Sequence, residues 1–388
     1  THLYIDGRRY WYSTQPSVTR LAQDRAVQQD SDTVREEIKR HLREEQRNRG
    51  DFARVHPCPA SSADVPDERE ARLAILGPEH PHATKVDDSP ARKAAMTILD
   101  QRGSGPRRYS NMLVFLAADR TRLAELEQAV RLYLAWKSIE NERETLNLDA
   151  FQANQAKTKR EQAEETIQQR IPETYQWLLV PGQPDPQAAA EWQEIRLQGQ
   201  DLLAVRAAKK LRNEELLVTQ FAGTRLRLEL DRVPLWRGNH VGLKQLAEDF
   251  ARYLYLPRLK DSEVLLAAVR DGLGLITWQQ ESFAYADGWD ADKSRYRGLR
   301  AGQIGGYHAG GRERPGKTRG GGHTTERGTN AGSADDNSQH SSPTLRTDCS
   351  SNRTRGGGEQ RNQCCVAYRS CTETFLWHGC PRSRPGRT

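Results

Sequence analysis

Residues Asn111 to Ile139, NMLVFLAADRTRLAELEQAVRLYLAWKSI, constrain the fold more than any other stretch of the chain. Met112 to Leu116 is a short apolar run rich in β-favouring residues, the length of a buried strand, and Ala117, Ala118 and Asp119 end it. From Thr121 the period changes. Leu123, Leu126, Val130 and Leu134 return every three or four residues, as on one helix face. Asp119 or Thr121 can cap the first turn, with Glu125 and Glu127 near its positive end. Strand, tight turn and helix form the unit from which α/β sheets are built. No glycine lies between this strand and helix, so the unit brings no phosphate cradle of its own.

The flanking sequence extends this pattern. Phe52 to His56 and Arg72 to Leu76 read as strands, the second stopped by Gly77-Pro78. Ser89 caps a helix with Pro90 at its first position, running to about Gln101. Upstream, His2 to Tyr12 alternates as an edge strand, and a helix starts at Ser17 or Thr19. A charged helix follows from Ser31 to Arg47, with Val34, Ile38 and Leu42 as its apolar seam and Ser31 or Asp32 as its cap. Downstream, Glu140 to Arg170 reads as a long polar helix or helical hairpin ended by Pro172, followed by strands at Tyr175 to Val180 and Glu191 to Leu197. A helix after Gly199 turns Leu202, Val205, Ala208 and Leu211 inward. Leu226, Leu228 and Leu230 alternate with charges as in a half-buried strand. Two helices (His240 or Asn239 to Pro257, and Ser262 to Arg270) and two strands (Leu275 to Trp278 and Ser282 to Tyr285) then match a winged-helix-like α+β module.

Charge narrows the functional classes. The formal net charge is +7, but 13 of the 59 Lys and Arg against 7 of the 52 Asp and Glu lie in residues 301–388. The rest is close to neutral, with no global basic field of the kind nucleic acid demands. Cys58 is the one cysteine before residue 300, which fits a reducing compartment. No run approaches the roughly 18 apolar residues of a membrane span, nothing resembles a signal peptide, and a cytoplasmic location with no membrane partner is the expectation. The opening Thr1, strand-like by Leu3, reads as a fragment whose partner elements lie upstream. After Gln303 the composition breaks: residues 301–388 hold 16 of the 30 glycines and the other five cysteines. Residues 304–388 are expected to be a low-complexity, disordered tail that reads like coding sequence in the wrong frame.

Motifs divide sharply on context. Gly311 to Thr318 satisfies the phosphate-loop pattern G-x-x-x-x-G-K-[ST], yet no strand precedes it and no helix opens at its lysine. Cys364, Cys365, Cys371 and Cys380 with His378 have atypical spacing for a zinc site, and His80 and His82 lack a third ligand, so the expected metal set is none. Arg20, Asp24 and Arg25 follow an aromatic strand and a constrained turn. Such arginines can reach phosphates from a neighbouring domain, or form a solvated helix face or an inter-helix ion pair. Asp119 and Arg120 stand at the carboxyl end of a strand, where α/β proteins place ligands, although a helix cap and a surface charge fit equally. No Ser-His-Asp, Cys-His or paired-carboxylate centre is legible.

Several stretches together carry a resemblance: Arg9 to Ser17 (RYWYSTQPS), Asp24-Arg25-Ala26, Phe52 to His56, Leu76 to His80, Leu113 to Leu116 with Asp119, Ala135-Trp136-Lys137, Ile171 to Trp177, Lys209-Lys210-Leu211, Tyr253 to Leu259, and Thr277-Trp278 with Phe283 to Ala286. As a set they resemble the downstream half of large prokaryotic AAA+-like ATPases that contain the domain of unknown function 499 and are often encoded near phage-defence genes. The resemblance covers roughly residues 1–303. It implies a fragment of an ATP-binding ATPase that couples hydrolysis to action on nucleic-acid or defence-system protein partners. ATP and Mg would be held by a nucleotide-binding core upstream and not by this piece alone. Arg20 and Arg25 are then the candidate phosphate-contacting or trans-acting catalytic arginines, and Asp119 the candidate cofactor-binding residue. The expected fold class is α/β: residues 1–140 the end of a P-loop-ATPase-like core, 141–198 a long helix with short strands as a coupling linker, 199–303 the helical and winged-helix-like module, and 304–388 the tail. The alternative is a non-enzymatic adaptor that docks protein or DNA.

Overall fold

The alternating N-terminal segment folds back on itself: β1 (His2–Asp6) and β2 (Arg9–Ser13) pair antiparallel where one strand was expected. The computed structural model describes residues 2–299, except Gly7, residues 14–16, Lys85, Asp87, Pro234, residues 237–239, Ala291 and Ser294, together with Val366–Tyr368. Ser17 caps α1 (Val18–Gln28), its side chain accepting from the Arg20 amide. The following helix, α2 (Ser31–Glu44), is capped by Asp30 and not by Ser31 or Asp32, because the Asp30 carboxylate reaches the amides of both Asp32 and Thr33. Val34, Ile38 and Leu42 form its buried seam as the spacing predicts.

The body is built around one five-stranded sheet. In chain order come β3 (Arg54–Pro57), β4 (Arg72–Ile75), α3 (Pro90–Asp100), the short hairpin β5 (Gln101–Arg102) and β6 (Gly105–Pro106), β7 (Leu113–Ala117), α4 (Arg120–Asn141), α5 (Ala150–Thr174), β8 (Trp177–Gly182) and β9 (Glu191–Arg196). Gly103 supplies the positive φ, +61°, that the β5–β6 turn needs. The sheet order is β3-β4-β7-β8-β9, with β3, β4 and β7 parallel and β8 and β9 antiparallel to their neighbours.

Strand periodicity sorts the core into two layers. Leu73, Ile75, Val114 and Leu116 pack with α2, α4 and α5 and with α6 (Leu203–Asn213) on one face. Ala74, Leu76, Leu113, Phe115 and Ala117 meet Ala91, Ala95, Ile98 and Leu99 of α3 on the other. All five residues of β7 are buried, as a central strand covered on both faces requires. Leu126 and Val130 of α4 are fully buried, each stabilising by about 1.5–3 kcal/mol relative to exposure.

The polar region after residue 140 is one long helix, α5, and not a hairpin of its own; it folds back against α4 across a turn that includes Asn147 at φ +48°. Pro172 does not end it, since α5 runs on to Thr174. Arg206 Nη2 donates to the carbonyls of Pro172 and Tyr175, which satisfies the distorted last turn. The sheet also runs through the boundary expected at residue 140, because 141–198 supplies two of its five strands. In α6, Leu203, Ala204 and Ala207 are buried beside Ala208 and Leu211. The expected inward residues Leu202 and Val205 are instead 46% and 38% exposed, since the helix starts one residue after Leu202.

Beyond residue 217 a second hydrophobic cluster gathers α7 (Gly223–Arg232), β10 (His240–Gly242), α8 (Leu243–Arg252), α9 (Ser262–Gly274) and Phe283. Residues 223–232 are helical, not the half-buried strand their alternation predicts. Leu226 and Leu230 lie four apart on the buried face and Leu228 points out, 69% exposed, so a 3.6-residue period fits the same letters. A Cβ on Gly223 would strike the backbone of Gly272, so α7 and α9 touch main chain to main chain. The chain continues through α10 (Trp278–Glu281), so that the strand expected at Leu275 to Trp278 does not form, to β11 (Ala284–Ala286), β12 (Gly288–Asp290) and β13 (Arg295–Arg297). Of residues 304–388, expected as a disordered tail, only β14 (Val366–Tyr368) is described, and it pairs between β10 and β11. The phosphate-loop match and the late cysteines lie outside the described residues.

Arg258 joins the second cluster to the sheet. Its buried guanidinium donates to the carbonyls of Asn111, Leu216 and Pro181, and the Asn111 amide donates to those of Phe250 and Leu256. Burial lowers the Arg258 pKa to about 10, which leaves it charged at neutral pH.

Candidate functional site

Several buried or half-buried polar groups meet at the carboxyl edge of the parallel strands. β7 ends at Ala117, and Asp119 opens α4 as its N-cap. One carboxylate oxygen accepts from the amides of Thr121 and Arg122 at 2.8 and 3.3 Å and from the Thr121 hydroxyl at 2.5 Å. The other accepts from Gln176 Nε2 at 3.1 Å and Trp177 Nε1 at 2.8 Å. Burial works against ionisation, but the Thr121, Trp177 and helix-amide hydrogen bonds outweigh it and hold the pKa down at about 2. Asp119 is therefore a carboxylate that ties β8 to the start of α4.

Beside it, the loop after β4 brings His82 against the end of β7. The His82 amide donates to the Ala118 carbonyl and its own carbonyl accepts from the Arg120 amide. Its ring, fully buried, meets Trp177 edge-on at 5.5 Å between centroids. Nδ1 lies 3.2 Å from Ser89 Oγ, and Nε2 lies 3.4 Å from a Glu194 carboxylate oxygen without hydrogen-bonding alignment. Burial lowers the His82 pKa although Glu194 opposes it, so the ring is neutral at pH 7.

Ser89, His82 and Glu194 thus form a line with the residue types of a nucleophilic triad. The line is closed to substrate. Ser89 is 1% exposed, and its hydroxyl accepts from the Arg92 amide as the cap of α3. Sequence reasoning missed this line because Glu194 lies on a strand far along the chain and no local spacing connects it to His82.

A third group lies at the ends of β3 and β4. Cys58 adopts φ +49° and donates its amide to the Ile75 carbonyl. Burial pushes its thiol up to about 12, with Glu79 adding to the effect, so it is no thiolate nucleophile. Glu79 folds its carboxylate over Gly77, where a Cβ would collide with it, and pairs with Lys39 at 3.6 Å. Tyr175 is fully buried near Cys58 and Glu79, and its hydroxyl has no hydrogen-bond partner among the described residues.

The expected arginines stand apart from this edge, on α1. Arg20 is exposed and pairs with Asp24 at 3.2 Å on the same helix. Arg25 donates to Ser138 Oγ and to both carboxylate oxygens of Glu142, fastening α1 to α4. The structure does not bring either arginine together with Asp119. Among the described residues no three His, Cys, Asp or Glu side chains are placed to hold a metal. No described helix is long and apolar enough to cross a membrane.

A nucleotide phosphate does not fit at the start of α4. The α4 amides that would face a phosphate are those of Thr121 and Arg122, and the Asp119 carboxylate already takes them. An anion arriving there would meet a negative charge held by five hydrogen bonds. No family model, curated protein sequence or solved structure matches this chain.

Proposed function

We propose that this chain is a non-enzymatic coupling module that docks onto an ATPase core and relays its movement to a protein or nucleic-acid partner. The observation that supports the reading most directly is the internal use of Asp119. This carboxylate stands where an α/β sheet would present chemistry, and it instead binds β8 to α4 through Gln176, Trp177 and the helix amides. Ser89 and His82 are likewise closed in, and Cys58 stays a thiol at neutral pH. The resemblance to AAA+-like ATPases supplies the kind of partner, and the sequence pattern adds the end of a P-loop-ATPase-like core in residues 1–140 and a helical and winged-helix-like module in residues 199–303.

The reading is tested by titrating Mg-ATP into the purified chain and following heat and phosphate release. Neither binding nor turnover is expected. Saturable binding that Asp119→Ala abolishes would overturn it.

A second reading is favoured by the exposure of Arg20, whose side chain is 64% accessible on α1. In that reading the chain is the downstream part of the ATPase itself, and Arg20 reaches a phosphate held by the neighbouring core. The two readings separate when an ATPase core of the resembling kind is mixed with this chain. Stimulated turnover that survives Arg20→Ala supports docking. Loss of stimulation with binding retained supports a trans-acting arginine.

A further inference from the structure

β10 and β11 do not pair with each other. Each pairs antiparallel with β14, which lies between them. His240 and Ala284 both stand opposite Tyr368, Val241 and Tyr285 opposite Ala367, and Gly242 and Ala286 opposite Val366. The two outer strands are therefore parallel and in step, about 9.5 Å apart, too far for direct hydrogen bonds. The ladder groups on their facing edges depend on a third strand.

Both walls of this gap are fixed by the hydrophobic cluster behind them. β10 runs directly into α8, with Val241 1% exposed. On the other side Phe283, Ala284 and Ala286 are all fully buried, and a Cβ on Gly272 of α9 would run into Ser282 and Phe283. The donor strand arrives from far along the chain, since the preceding strand ends at Arg297 and this one starts at Val366. A short turn therefore plays no part in setting its register. Two rigid edges one strand apart, filled by a sequence-distant segment, have the geometry of β-augmentation, in which main-chain hydrogen bonds hold an extended peptide.

We propose that the gap between β10 and β11 is a strand-acceptor site for an extended peptide, filled in this chain by its own Val366–Tyr368 and able to take the same segment supplied in trans. The inference rests on strand pairing alone and stands or falls independently of the coupling function proposed above.

The test uses the full chain carrying Ala367→Pro, which removes a ladder donor at the middle of β14. Backbone hydrogen exchange is followed in β10 and β11, with β4 and β7 as internal controls. Exchange in residues 240–242 and 284–286 is expected to rise about tenfold, with the controls unchanged. A synthetic peptide of residues 362–372, its cysteines replaced by serine, should then restore protection, and the same peptide with proline at the Ala367 position should not. Unchanged exchange in the variant would overturn the proposal, as would a failure of the peptide to restore protection. If Ala367→Pro also loosens β4 and β7, Val366→Pro takes its place under the same two criteria.

Discussion

β7 carries a polar joint at each end, and the two are built from different chemistry. At its amino end Asn111 and Arg258 satisfy five backbone carbonyls with an amide and a guanidinium, and no carboxylate takes part. At its carboxyl end Asp119 and His82 hold the start of α4, the loop after β4 and the indole of Trp177. The first joint contains nothing that titrates between pH 2 and 8, since even the lowered Arg258 pKa is about 10. The second contains a carboxylate and an imidazole, both with pKa values shifted down. Acid should therefore loosen one end of the same strand before the other.

The largest expected effect is at the amino end. Arg258→Met leaves three carbonyls without their donor, two of them buried, and should cost about 3–5 kcal/mol, read from the urea midpoint. Lysine should not rescue it, because a single ammonium cannot reproduce the planar fork. A loss below about 1 kcal/mol would mean that the joint contributes little and the comparison fails.

Asp119→Ala comes next, at about 2 kcal/mol, from a lost helix cap and two side-chain donors, Gln176 and Trp177, whose bonds to it are only part-buried. Trp177 fluorescence should shift in the folded variant, reporting the freed indole.

The pH dependence gives the third prediction. Asp119 has a folded pKa of about 2, below its ordinary value of 3.8, so its stabilisation is present above the latter and lost as pH falls toward the former. His82 is also depressed, from 6.5, by burial, and favours folding above that value, where both states are neutral. As pH drops below 6.5 the unfolded chain takes up the proton first and stability falls. His56 adds to the same slope, with a folded pKa of about 4 set by burial and by Arg72. Urea midpoints from pH 7.5 to 4.5 should decline for the wild type and less steeply for His82→Gln. An equal slope in the two would remove His82 from the account.

The smallest effect belongs to Arg20. Its exposed pair with Asp24 screens well, and Arg20→Ala should change stability by no more than about 0.5 kcal/mol. That makes the variant a clean probe of function in the mixing experiment.

Local signals were legible in the sequence and distant ones were not. The strand β7, the cap of α4 and the Ser89-Pro90 start of α3 each rest on neighbours within four residues: β7 lies one residue later than Met112 to Leu116, Asp119 is the cap of the two the pattern offers, and α3 starts at Pro90. Leu226, Leu228 and Leu230 misled because leucines two apart fit both a strand face and, with Leu226 and Leu230 alone inward, a helix face. The start of α2 moved by one residue because Asp30, Ser31 and Asp32 are all competent caps and only geometry chooses among them. Arg258 lay within a stretch noted for resemblance, but its three carbonyl partners are separated from it by up to 147 residues. The same holds for Glu194, which meets His82 only because β9 closes the sheet beyond β8.

The anchoring of α4 at Asp119 has a mechanical consequence. α4 is 22 residues long and α5 is 25, so the hairpin reaches about 33 Å from the sheet edge to its turn. A tilt of about 5° at the Asp119 end would sweep that turn through about 3 Å, the width of a side chain, over a helix of this length. A change too small to break one hydrogen bond at the pivot would thus arrive at the tip as a displacement large enough to make or break a contact.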